Sequence, residues 1–74
     1  MQTWEYLFVT AQLHAGSWRP RYVNQQEVRE WKRGSSVSEF SNELGGDGWE
    51  LVNLVISVTV NYENYRLVFK RPKT

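Results

Sequence analysis

The chain has 74 residues, 41% of them hydrophobic and 15% aromatic, no cysteine and a formal net charge of +1. That leaves room for one domain, 1–74, rules out a disulfide framework, and leaves His14 as the only imidazole for a zinc site with no thiolate to share the metal. The balanced charge gives no global pull toward nucleic acid or acidic membrane, and no run approaches the ~18 apolar residues of a membrane span.

The opening MQTWEYLFVTAQL lacks the basic start and long apolar run of a signal peptide, so a cytoplasmic protein with no membrane partner is the expectation. Residues 3–13 read as a strand. Strand alternation places Trp4, Tyr6 and Phe8 on one side and Leu7, Val9, Ala11 and Leu13 on the other, so both sides need cover. His14 to Ser17 breaks the run, with Gly16 free to take a positive φ. Trp18 to Gly34 is the least regular stretch. A structureless loop of that length is improbable in so small a domain, and a minor hairpin over 21–28, around Asn24-Gln25-Gln26, fits it. Pro20 suits an edge or the first residue of such a strand.

A helix is expected over 36–45. Ser36-Val37-Ser38-Glu39 has the form of a capping box, and Val37, Phe40 and Leu44 fall on one helical stripe. Gly45-Gly46 would supply a left-handed stop. Asp47-Gly48 then turns the chain into the longest strand, 49–60, whose even positions Val52, Leu54, Ile56, Val58 and Val60 form an apolar row. Asn61 to Asn64 reads as a turn and 65–71 as the return strand. Pairing Val60 with Tyr65, Val58 with Leu67 and Ile56 with Phe69 keeps the apolar residues on one side, and a one-residue slip would carry the bases into the core. The expected fold is therefore α+β: an antiparallel sheet of three main strands (3–13, 49–60, 65–71), the minor hairpin (21–28) and one short helix (36–45) on one face.

The catalytic inventory is thin. His14 has no acid or nucleophile beside it in sequence, and general acid–base work needs a positioned partner. Glu39 and Glu43, one helical turn apart, read as a cap and a solvated neighbour, and Asp47 as turn chemistry. Gly45-Gly46-Asp47-Gly48 follows a helix, whereas phosphate loops open one. No catalytic, cofactor or metal residue is assigned, and no enzyme is expected.

Binding has more to draw on. Trp4, Tyr6, Phe8, Trp18 and Trp31 are candidates for a protein interface, since Trp and Tyr concentrate at interface hot spots. The simpler reading makes them core, because large rings enlarge a small one. Arg19, Arg21, Lys32, Arg33, Arg66, Lys70 and Arg71 are candidates for nucleic-acid contact, interleaved as they are with aromatics. Against that stands the ordinary role of bases on a wet surface. A core this size rarely supplies more than about 3–5 kcal/mol, so with no disulfide and no metal the expected staple is a homo-oligomer, dimer or higher.

Trp4-Glu5-Tyr6, Leu44 to Val52 (LGGDGWELV) and Phe69-Lys70-Arg71-Pro72 together carry a resemblance. The chain resembles a family of short bacterial and phage proteins catalogued as a domain of unknown function, with a WEY start, an LGxxGWELV junction and an FKRP end. The resemblance implies a compact sheet with one helix, frequent self-association and no assigned activity. In that junction Gly48 would allow the tight turn, Trp49 would anchor it, and Glu50 would pair with Arg66 or Arg71. The reading that follows is a self-associating binding or scaffold module, with an accessory nucleic-acid-binding protein as the alternative.

Overall fold

A computed structural model describes residues 1–58 and 63–73. Five strands form one antiparallel sheet: β1 (Trp4–His14), β2 (Ser17–Val23), β3 (Gln26–Glu27), β4 (Glu50–Val58) and β5 (Glu63–Pro72), in the order β3-β2-β1-β5-β4. A 3-10 turn (Trp31–Arg33) and one helix, α1 (Val37–Gly46), connect β3 to β4. No helix among the described residues is long and apolar enough to cross a membrane.

Five strands stand where three main strands and a minor hairpin over 21–28 were expected, and the extra pairing comes from a turn the residue pattern disguised. His14 faces Ser17 across Ala15-Gly16, whose φ values are 52° and 79°. Two successive left-handed residues make the tight turn whose twist matches paired strands. What reads as a break is thus a two-residue hairpin, and Ser17–Val23 runs back along β1 as a full strand. Pro20 lies inside that strand, where a missing N–H is tolerated because β3 reaches only Tyr22 and Val23 and the ladder to β1 shifts register between Thr10 and Ala11. The minor hairpin exists as well, closed by Asn24 and Gln25 at φ 49° and 69°, but its second strand is only Gln26–Glu27.

The helix begins where its cap predicts. Ser36 accepts from the Glu39 backbone N–H and the Glu39 carboxylate accepts from the Ser36 N–H, at 3.2 and 3.1 Å. Its end differs from expectation. Gly45 and Gly46 are helical, Asp47 is the C-cap at φ −93°, and the left-handed residue is Gly48 at φ 90°. The Gly48 and Trp49 N–H groups then donate back to the carbonyls of Gly45 and Leu44.

The core lies on the helix side of β1 and β5, where Val9, Ala11, Leu67 and Phe69 are buried beneath Val37, Phe40 and Leu44. The register places Val9 opposite Leu67 and Leu7 opposite Phe69. The C-terminal hairpin is therefore not the centre of the molecule. β1 is the middle strand, β5 is paired on both sides, and β4 is an edge. Its register also differs from expectation: Ile56 faces Tyr65, Leu54 faces Leu67, Leu51 faces Phe69 and Val58 faces Glu63, with a bulge between Leu51 and Asn53. From Asn53 on the displacement is four residues, so Leu54 and Ile56 of the expected row still face the helix side, whereas across the bulge it is five, which sets Leu51 instead of Val52 opposite Phe69. A period-two pattern selects the face and cannot separate registers that share it. Thr59, Val60 and the Asn61-Tyr62 part of the expected turn lie outside the described residues.

Candidate interaction surface

Alternation along β1 sends its odd residues under the helix and its even residues to the opposite face of the sheet. There Trp4, Tyr6 and Phe8 form a row that is 40%, 50% and 56% exposed. β5 lies alongside with Pro72 opposite Trp4, Lys70 opposite Tyr6, Val68 opposite Phe8 and Arg66 opposite Thr10. Among the described residues, β1 and β5 bring no acid to this face. The Lys70 ammonium sits 4.2 Å from the Trp4 ring centre, close enough for a cation–π contact. Phe8 is pinned through its backbone: its N–H donates to Asn24 Oδ1 at 3.0 Å and its carbonyl accepts from the Asn24 N–H at 2.7 Å. Asn24 can do this because its short amide tolerates the left-handed conformation of the turn. Phe8, Thr10, Tyr22, Gln25 and Arg66 enclose a shallow groove of about 470 Å³.

The other two tryptophans of the candidate interface, Trp18 and Trp31, lie elsewhere. Trp18 faces Leu13 on the helix side and stacks on Tyr65 at 3.9 Å and 14°. Trp31 is buried, edge-on to His14 at 5.7 Å and beneath Arg21 at 5.0 Å. It shields the hairpin end of the even side and leaves the Trp4–Phe8 end open. Trp18 and Trp31 therefore act as cover within the chain, and only Trp4, Tyr6 and Phe8 form a shared exposed row.

The basic residues are also divided. Arg21 donates to Glu27 and Gln12 at 3.1 and 2.6 Å, and Arg19 donates to the Gly34 carbonyl at 2.9 Å. Lys32 and Arg33 are exposed on the 3-10 turn, away from the aromatic row. Arg66 and Lys70 are on the row's own face. Arg71 is turned to the helix side, where its Nε donates to Glu5, its second nitrogen donates to the Asp47 carbonyl at 3.1 Å, and its guanidinium carbon lies 4.3 Å from the Trp49 ring centre. Glu50, expected beside Arg66 or Arg71, faces Lys70. The Glu39 carboxyl is held below its ordinary value of 4.5 by the Ser36 backbone N–H, then by the Ser36 hydroxyl. No group of three or more His, Asp or Glu placed to hold a metal ion occurs among the described residues.

Arg71, with Glu5, the Asp47 carbonyl and Trp49, thus joins the three separated segments that carry the family resemblance. Residues 4–72 match a family described as a domain of unknown function, DUF4177. The chain belongs to this family. No curated protein and no solved structure matches it. The DUF4177 match begins at Trp4 and ends at Pro72, and those two residues face each other across β1 and β5. It therefore spans the whole sheet. Residue patterns alone missed the Asn24 clamp and the Trp18–Tyr65 stack. The left-handed Asn at a two-residue turn was the available signal for the first; nothing local marks the second.

Proposed function

We propose that this DUF4177 domain is a cytoplasmic protein-interaction or scaffold module that self-associates and has no catalytic activity of its own. The observation that supports the reading is the row Trp4, Tyr6 and Phe8, half exposed on a central strand with no other element among the described residues over it. Aromatic side chains carry about 150–250 Å² each, and covering them is worth roughly 25 cal/mol per Å² removed from water. A flat aromatic face rimmed by Lys70, Arg66 and Thr10 has the apolar centre and polar margin of a contact surface. Static light scattering tests this directly. The wild type is expected to exceed the monomer mass at micromolar concentration and Tyr6→Glu to lower it; a monomeric wild type overturns the proposal.

One observation favours the alternative of nucleic-acid binding, namely that Arg66 and Lys70 share the face of the rings. Aromatic platforms beside bases stack single-stranded nucleic acid. On that reading, binding of single-stranded DNA or RNA falls steeply with salt and weakens in Arg66→Gln and Lys70→Gln while the oligomeric mass is unchanged. No mobility shift at low salt would reject it.

A further inference from the structure

β4 closes one side of the sheet: its inner edge pairs with β5, and the strand order ends there. Leu51, Val52, Leu54, Val55 and Ile56 are between 47% and 56% exposed. Leu54 and Ile56 share the helix side with Leu67 and Tyr65, and Val55 lies opposite Arg66 on the other side between the register positions of Asn53 and Ser57, so from Asn53 on this edge is apolar on one face and mixed but uncharged on the other. Edge strands usually protect themselves with lysine, proline, an inward charge or short length. From Leu51 to Val58 there is no charge and no proline. The one protective device present, the bulge beside Val52, sits near the start of the strand and leaves Asn53–Val58 regular. The opposite edge is handled differently: β3 has two residues, and its Glu27 binds Arg21.

We infer that β4 pairs antiparallel with β4 of a second copy about a two-fold axis, joining two five-stranded sheets into one of ten strands. The sequence of the edge argues for its own copy as occupant. With the axis at Val55, Asn53 comes opposite Ser57, Leu54 opposite Ile56, and Val55 opposite itself. Polar then meets polar, branched aliphatic meets branched aliphatic, and no charge faces a like charge across the axis. A partner strand carrying charge on the helix side would have to set it against Leu54 or Ile56. The small core adds a reason for the contact. Val9, Ala11, Trp31, Leu67 and Phe69 are the buried hydrophobic residues among those described, and β4 is where the largest set of half-wet aliphatic side chains adjoins them. The inference rests on the self-association reading but uses a different surface: side-by-side pairing leaves both Trp4–Tyr6–Phe8 rows open on one broad face.

Amide hydrogen exchange on the wild-type chain tests it. In a free edge strand every second amide points to solvent and exchanges close to the open-chain rate; in a paired edge both sets are protected. The outward amides within Asn53–Val58 are expected to slow at least tenfold as concentration is raised through the association range. Val55→Lys, which brings two ammonium groups together at the axis, is expected to abolish that protection and the dimer while the Val9 and Leu67 amides stay protected. Tyr6→Glu is expected to leave the edge protected. Outward amides that stay open at millimolar concentration overturn the inference, and they do so whether or not Val55→Lys folds. An oligomer with open edge amides that Tyr6→Glu dissociates keeps the aromatic-face reading and removes this one. Protected edge amides in a dimer indifferent to Tyr6→Glu do the reverse.

Discussion

Arg71 and Glu5 are 37% and 38% exposed at their side chains, so solvent screens the ion pair between them to at most about 1 kcal/mol. The donated bond to the Asp47 carbonyl and the cation–π contact with Trp49 add to it, each on the order of 1 kcal/mol. Arg71→Ala is therefore expected to lower unfolding free energy by about 2 kcal/mol in urea titration, loosening the helix–strand junction and the sheet together. Arg71→Lys is expected to recover less than half of that loss, because one ammonium cannot reproduce a planar fork that reaches two acceptors and lies against a ring. A lysine variant as stable as wild type would show that charge alone holds the junction. Sequence proximity gives no hint of this grouping: Glu5 and Arg71 are 66 positions apart and meet only because β1 pairs with β5.

At the scale of elements, legibility followed the range of the forces involved. The capping box at Ser36 and Glu39 is local, and the helix starts where those four residues place it. The Val37–Phe40–Leu44 stripe is local too, and it faces the core. Residues 14–17 read as a break with a permissive Gly16 and not as a hairpin, because alanine rarely adopts the positive φ that Ala15 takes, and only the pairing of His14 with Ser17 and beyond compensates for it. The β4–β5 register escaped notice for another reason. Leu54 opposite Leu67 and Val58 opposite Leu67 are equally apolar, so composition could not choose, and the bulge beside Val52 adds an offset no pattern shows. The cap itself makes a pH prediction. Because the folded state holds the Glu39 carboxyl below its unfolded value, its contribution is complete above about pH 4.5 and is lost as pH falls through the folded value. The difference in urea midpoint between pH 7 and pH 3 is expected to shrink in Glu39→Gln relative to wild type, since glutamine keeps an acceptor but does not titrate. Ser36→Ala is expected to cost about 1 kcal/mol at pH 7 and to shrink the same difference. An unchanged pH difference in both variants would remove Glu39 from the acid response.

At the scale of the whole molecule, the faces of β1 were legible and the place of β4 was not. Period two separates the odd from the even residues of β1, but with both sides apolar it does not say which is covered; the helix over the odd side is what leaves Trp4, Tyr6 and Phe8 half exposed. The strand order could not be anticipated, because it depends on which of two apolar strands β5 borders on each side. Putting β4 at the edge leaves the uncharged stretch Leu51–Ile56 half wet, beside a core of few residues. Such a chain gains stability wherever a copy covers it, and mass action makes that gain measurable without any substitution. If folding and association are coupled, a hundredfold rise in concentration favours the dimer over two unfolded chains by about 2.7 kcal/mol. Shared between two chains of this length, that raises Tm by roughly 5–10 °C. Calorimetry at about 5 and 500 μM is expected to show that rise in wild type and little of it in Val55→Lys, a comparison set by the mass-action relation itself. A wild-type Tm that does not move over this range would mean the small core suffices alone, and the exposed edge would then owe its solubility to the bulge beside Val52 and the basic rim of β5.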